Sequence, residues 1–271
     1  LVEKPFGSNL KTAEELDKLL SNIFEEEQIY RIDHYLAKEM TQNILTLRFA
    51  NNLFEENWSS EAIEEIEIKL LEKIGVEHRG NFYDGVGAFR DVGQNHLLQV
   101  LALLTMEQPG SFEDEAIRSR RAQILGTLQE YSLEEVKNNT FRAQYRGYLK
   151  IPGVRPDSKT ETYFKVRVFL THDLWRGVPI YLESGKRLKN QVKEVVVTFK
   201  HPAPCLCPPG TLEHYKNKVV ISLEPQEGIR IIFWSKKPGL ETRLEERTFD
   251  FFLRQPTQKT QYIEEYEKLL L

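Results

Sequence analysis

The sequence predicts an α+β fold, a large, mostly antiparallel sheet with helices packed on one face, preceded by the last portion of a βαβ domain. Two observations carry this expectation. Four alternating segments, TYFKVRVFL, KEVVVTFK, NKVVISLE and GIRIIFW, follow one another with turn residues between them. Such a succession marks an antiparallel sheet with one buried face. Ahead of them, residues 1–48 run strand, helix, strand, helix, the rhythm of a βαβ unit.

Each element has its own signal. Residues 1–5 read as the end of a strand, broken by Pro5 and Gly7. TAEELDKLLSNIF follows, with Thr12 and Glu15 spaced as a capping box and Ala13, Leu16, Leu19, Leu20 and Ile23 at helical intervals. QIYRI is a short strand, and Leu36, Met40, Ile44 and Leu47 predict a helix over 36–48. In IEEIEIKLLEK, Ile66, Ile68 and Leu70 share one face of a strand, with Glu67 and Lys69 on the other. Helices are expected over 91–105 and 114–129, and the loop GYLKIPGVRPDSKT separates them from the strands. The last segment, TQKTQYIEEYEKLLL, again carries helical spacing. No repeat or low-complexity tract interrupts the chain.

Composition narrows the class. The chain has 271 residues, 40% hydrophobic and 29% charged, with a formal net charge of −4. No basic field invites nucleic acid or an anionic membrane, so any phosphate recognition must come from a few aimed cations. Cys205 and Cys207, the two cysteines, suit a reducing compartment rather than a disulfide-stapled secreted scaffold. No apolar run reaches the ~18 residues of a membrane span, and a cytoplasmic location is expected. LVEKPFG at the start, without methionine or signal pattern, and LLL at the end read as cuts within a longer chain.

Three stretches could carry chemistry. RIDHYLAKEM (31–40) crowds Asp33, His34, Tyr35 and Lys38 at a helix entrance. On a helix, His34 and Lys38 would stack on one face near the free N–H groups, which suits a phosphate. A solvated polar helix entry is the plain alternative. Glu72 continues the parity of Ile66, Ile68 and Leu70, so alternation turns its carboxylate inward, where it needs partners or a ligand such as a sugar hydroxyl group. A strand ending before residue 72 would remove that demand. In RDVGQNHLLQ (90–99), Asp91 and His96 would lie about 140° apart on a regular helix, so another carboxylate would have to orient the imidazole. A lone helical histidine is more often structural than catalytic. Lys186, in YLESGKRL, follows a strand and a glycine, as a substrate lysine or a solvated basic turn.

Several motifs are absent. The region before Lys186 departs from a P-loop at Ile180 and Arg187, and there is no GxGxxG. His201, Cys205, Cys207 and His214 match no usual zinc spacing, so no metal is expected. No nucleophile elbow or zinc helix occurs.

The ensemble resembles the glucose-6-phosphate dehydrogenase family. EKPFG (3–7), RIDHYLAKE (31–39), RGNFYDGVGAFRDVGQNHLLQ (79–99), GVPIYLESGKRL (177–188) and KKPG (236–239) appear in that family's order and at its usual intervals. The resemblance implies two parts. Residues 1–32 would be the end of a Rossmann-like dinucleotide-binding domain. Residues 33–271 would be a substrate-binding, catalytic and dimerisation α+β domain, incomplete at its C-terminus. The implied reaction oxidises D-glucose 6-phosphate at C1 to the lactone, with hydride passing to NADP or NAD, the first step of the pentose phosphate pathway. His96 matches the general base and Asp33 the carboxylate that pairs with it. His34, Tyr35 and Lys38 match the phosphate-binding group. Glu72 and Asp91 match carboxylates that bond sugar hydroxyl groups, and Lys186 a substrate lysine. Lys4 matches a lysine between sugar and nicotinamide, followed in the family by a cis bond to Pro5. A homodimer or homotetramer formed through the sheet is also implied.

Three departures stand out. Ala37 replaces a usual glycine, and Gln191 replaces a second basic residue, for which Lys189 or Lys193 could compensate. Glu183 replaces an arginine that serves a second, structural NADP site in some members, so that site is not carried over. The alternative reading is a sugar-phosphate-binding and dimerisation module without activity of its own. A sugar-phosphate isomerase using the same acid–base residues is a more remote one.

Overall fold

The computed structural model describes residues 2–3, 6–7, 9–204, 215–240 and 243–253. Lys4 and its bond to Pro5, Cys205, Cys207, His214 and the helix expected over 257–271 lie outside the described residues.

The chain opens with β1 (Val2–Glu3), α1 (Leu10–Ser21) and β2 (Arg31–Ile32), the two strands pairing in parallel. The cap of α1 falls earlier than expected. Asn9 accepts from the Thr12 backbone N–H at 3.0 Å, and Thr12 Oγ1 accepts from the Asn9 N–H at 3.1 Å. Asn9 and Thr12, not Thr12 and Glu15, form the capping box, because asparagine caps at least as well as threonine. None of the residues of α1 is buried among the described residues.

The helix predicted over 36–48 is divided. Asp33 caps a 3₁₀ turn, His34–Ala37, and Lys38 is extended (φ −66°, ψ 134°) before α2 (Glu39–Phe49) begins. His34 and Lys38 therefore do not stack on one helical turn. A short acidic side chain that takes a backbone N–H two residues on competes with the helix, and this separates the turn from α2.

Next come α3 (Asn52–Glu55), β3 (Ile63–Leu71) and α4 (Gly80–Tyr83). A π-helical segment, Phe89–Leu97, runs directly into α5 (Leu98–Thr105). α6 (Asp114–Leu125) ends before the predicted residue 129, and α7 (Leu133–Asn139) precedes the remaining strands. These are β4 (Thr140–Ala143), β5 (Tyr163–Val168), β6 (Ile180–Gly185), β7 (Val192–Phe199), β8 (Lys218–Glu224), β9 (Gly228–Lys236) and β10 (Leu244–Phe252). β3 to β10 form one sheet in the order β10-β9-β8-β7-β3-β6-β5-β4. Every neighbouring pair is antiparallel except β3 and β6.

Ile66, Ile68 and Leu70 of β3, Val195 and Val197 of β7, and Val219, Ile221 and Leu223 of β8 are buried in the core with α2 and α5. Burying each such side chain contributes about 1.5–3 kcal/mol, so this face decides the register. The carbonyl end of α5 is closed by three buried donors. Arg48 donates to the Leu103 and Met106 carbonyls at 2.8 Å each, Trp58 Nε1 to Leu104 at 2.8 Å, and Trp175 Nε1 to Thr105 at 2.6 Å. A cation and two indoles there satisfy carbonyls the helix leaves open and complement its dipole. At the other end the π segment lies tight on the sheet: a Cβ on Gly93 would meet Phe164 Cζ at 2.7 Å. The rod that carries His96 is thus anchored at both ends.

Asp84, at the end of α4, ties down the long loop before β5. Its carboxylate accepts from Tyr148 Oη at 3.0 Å, Arg155 Nε at 3.0 Å and Ser158 Oγ. Burial alone would push the Asp84 carboxyl up, but the bonds from Ser158, Arg155 and Tyr148 outweigh it and pull it down to about 2. A depressed carboxyl stabilises the fold above its unfolded value, and that contribution is lost as pH falls toward the folded value. Asp84→Ala should cost about 2–4 kcal/mol at neutral pH, read by denaturant unfolding. The gap between variant and wild type should narrow between about pH 4 and pH 2. Equal stability at pH 7 would overturn this account.

Candidate active site

His96 and Asp33, 63 residues apart in sequence, meet in the core. His96 Nδ1 lies 2.6 Å from Asp33 Oδ1, and both side chains are buried. The 3₁₀ turn sets the carboxylate: the same Oδ1 accepts the Tyr35 backbone N–H at 3.0 Å. Asp33 Oδ2 is buried without a hydrogen-bond partner among the described residues. Burial raises the Asp33 carboxyl, yet the hydrogen bond and charge of His96, the Tyr35 N–H and the charge of His34 together hold it below its ordinary value. Asp33 is therefore a carboxylate at neutral pH. The Tyr35 ring stacks on the imidazole at 4.2 Å between centroids, and His34 meets it edge-on at 4.6 Å.

The π helix revises one expectation. Its i→i+5 bonding places residues five apart one turn from each other, so Asp91 and His96 project more nearly to one side than the 140° of a regular helix implied. Asp91 nevertheless reaches a lysine: its Oδ2 lies 3.9 Å from Lys186 Nζ. Lys186 donates to Glu72 Oε2 at 2.6 Å, and its ammonium stands 5.7 Å from the centroid of Tyr83. β3 ends at Leu71, one residue before Glu72, but the ladder persists: the Glu72 N–H donates to the Gly185 carbonyl at 2.9 Å. The half-buried carboxylate thus meets the demand for a partner with an ammonium.

A second cationic group lies over Tyr35. Lys38 Nζ sits 4.9 Å and Lys193 Nζ 5.8 Å from the ring centroid, and both bond the Glu224 carboxylate. Burial and the charge of Glu224 raise the Tyr35 phenol above its ordinary value, with Glu72 adding to the effect, so it stays a neutral donor. Tyr35 in this way links the dyad, the lysine pair and the Glu72 side.

Of the residues singled out from sequence, Asp33, His34, Tyr35, Lys38 and His96 form one connected cluster. Glu72, Asp91 and Lys186 form a second beside it. Glu224 was not foreseen; its one signal is a carboxylate closing the alternation of NKVVISLE. Of the two lysines weighed against Gln191, Lys193 turns into the site, whereas Lys189 and Gln191 are exposed. Asp33, His34 and His96 also offer ligand atoms within 4.8 Å of one another.

Two family models match the chain in succession. The family model described as "Glucose-6-phosphate dehydrogenase, C-terminal domain" matches residues 45–271, and "Glucose-6-phosphate dehydrogenase, NAD binding domain" matches residues 1–43. The chain belongs to the glucose-6-phosphate dehydrogenase family.

Among its relatives, a glucose-6-phosphate 1-dehydrogenase of Aggregatibacter actinomycetemcomitans is 44% identical over 284 residues, covering 100% of this chain and 56% of the relative. One of Borreliella burgdorferi is 38% identical over 281 residues, covering 100% and 58%. A solved glucose-6-phosphate dehydrogenase in complex with glucose 6-phosphate superposes with a TM-score of 0.87 at 35% identity, over 99% of this chain and 56% of that one. The chain therefore spans somewhat more than half the length of the relatives it matches. Each of these relatives is named as a glucose-6-phosphate dehydrogenase. Against the family pattern, Glu183 is engaged within the sheet, accepting from Tyr163 Oη at 2.8 Å with Lys165 Nζ 3.8 Å away. No helix among the described residues is long and apolar enough to cross a membrane.

Proposed function

We propose that the complete protein oxidises D-glucose 6-phosphate at C1 to the 6-phosphogluconolactone, with hydride transfer to NADP. The observation that carries this reading is the buried Asp33–His96 pair beside the Tyr35–Lys38 and Glu72–Lys186 groups. With Nδ1 held by a carboxylate, the imidazole presents Nε2 to the C1 hydroxyl group as a base, and the developing imidazolium gains a charged partner. His96 and Asp33 are thus the acid–base pair. His34, Tyr35 and Lys38 hold the 6-phosphate. Glu72, Asp91 and Lys186 orient the sugar hydroxyl groups, Glu72 and Lys186 exchanging their mutual bond for bonds to substrate. Such positioning brings C1 to the base and contributes as much as any single charge.

The dinucleotide would be held by the part of the protein that ends in residues 1–32, with Lys4 at its border with the sugar. The parallel β1–β2 pair under a helix that buries none of its residues fits the closing unit of a larger nucleotide-binding sheet. A bound nicotinamide supplies the hydride acceptor. Phe249, Phe251 and Phe252 stand exposed on β10, the edge of the described sheet, which supports a homodimer or homotetramer formed through it. A cytoplasmic site of action belongs to the same reading.

The direct experiment follows nicotinamide reduction by the complete chain with glucose 6-phosphate, in parallel with NADP and NAD. Reduction of NADP faster than of NAD at equal concentration is expected. No reduction of either would sink the proposal.

A further inference from the structure

The phosphate group of this site contains its own competitor. We infer that Glu224 is an internal counter-ion which the substrate phosphate displaces, and that Lys193 is the second ammonium which then holds that phosphate. This deepens the proposed function and rests on its placement of the 6-phosphate beside Tyr35 and Lys38.

Strand register brings the pair together. Lys193, near the start of β7, is the direct partner of Glu224 at the end of β8, and the ladder is irregular between Lys193 and Glu194. A bulge of this kind re-aims a side chain at a sheet margin. The Glu224 carboxylate then bridges two ammonium groups, Oε1 to Lys38 and Oε2 to Lys193 at 2.5 Å. One oxygen to each cation is also how a phosphate would engage them. Both ammonium groups lie over Tyr35, at 4.9 and 5.8 Å from its centroid.

Burial distinguishes the anion from the cations. The lysine side chains are 10% and 12% exposed, the glutamate 25%. The cations are held in the wall, and the anion stands on the open side. Charge balance completes the argument. Two ammonium groups facing a phosphate dianion are neutral together, whereas retaining Glu224 beside them would leave an uncompensated negative charge in a half-buried site. Burial alone would raise the Glu224 carboxyl, but bonds from Lys193 and Lys38 hold it below its ordinary value, so it competes in ionised form. Lysines prepaired with a carboxylate bind phosphate less tightly than free ones, because the competent arrangement is a fraction of the ensemble.

The test titrates the complete protein with inorganic phosphate, glucose 6-phosphate and glucose by calorimetry. Glu224→Gln, nearly isosteric, should tighten inorganic phosphate and glucose 6-phosphate by about tenfold. Lys193→Met should weaken both by about tenfold or more while leaving glucose unchanged, and Lys193→Arg should recover most of the loss. Phosphate binding to Glu224→Gln no tighter than to wild type would overturn the counter-ion role. Unchanged phosphate affinity in Lys193→Met would overturn the second-cation role. If Lys193→Met fails to fold, Lys193→Gln replaces it under the same criteria. The two readings fail separately. Phosphate shifts without sugar oxidation would sink the proposed reaction alone, and oxidation with unshifted phosphate affinities would sink this inference alone.

Discussion

Replacing His96 by asparagine should lower turnover about a thousandfold or more while glucose 6-phosphate still binds. The amide can keep a hydrogen bond toward Asp33, so the buried carboxylate retains a partner and the rod from Phe89 to Thr105 keeps its place. What disappears is a base at Nε2. Because that interaction exists only as the C1 proton leaves, kcat and kcat/KM should fall together. Steady-state kinetics on the complete protein, with a calorimetric Kd for glucose 6-phosphate, separate the two quantities. A variant within tenfold of wild-type turnover would remove His96 from the chemistry.

The sheet was legible because alternation is a backbone property. Ile66, Ile68 and Leu70 face one way whatever the fold, and the buried strands β7 and β8 repeat the pattern. Helix positions were legible from their spacing, but their ends were not. Asn9 outcompeted Thr12 as a cap by a local hydrogen bond, and Asp33 divided one predicted helix in two by another. The π segment was hidden for a related reason. Its apolar spacing resembles that of an α-helix over nine residues, and the tight packing of Gly93 on Phe164 involves a strand 71 positions away.

The site divided along the same line. Side chains within RIDHYLAKEM could be grouped from sequence because they are neighbours in the chain. Lys193 and Glu224 could not, since their meeting depends on the register of β7 on β8. Intervals in one chain do not report which strand ends coincide. Gln191 and Lys193 differ by two positions, yet the exposed glutamine and the buried-stemmed lysine have opposite fates, set by where β7 begins. The side chains of RIDHYLAKEM part ways: Asp33 turns to His96, and Lys38, re-aimed by its extended backbone, turns to Glu224.

Asp33→Asn should be nearly as damaging to turnover as loss of the base, by up to about 10⁴-fold. Asp33 acts through His96 as a positioning residue, and the amide offends twice. Its Nδ2 can donate toward Nδ1, which favours the tautomer whose Nε2 carries the proton and cannot accept one. It also removes the charge that a developing imidazolium would meet. A merely structural role would lower stability without these kinetic marks, so two readouts decide. The double variant His96→Asn with Asp33→Asn should lose little more turnover than His96→Asn alone, because the two act as a unit. Stability supplies the second readout. His96, Tyr35 and His34 hold the Asp33 carboxyl below its ordinary value. Its contribution should be complete above about pH 4 and be lost as pH falls through the depressed value. The asparagine variant lacks that titration, so its deficit in unfolding free energy should shrink on acidification. Losses that add independently in the double variant, with a deficit constant across acid pH, would show that Asp33 does not act through the imidazole.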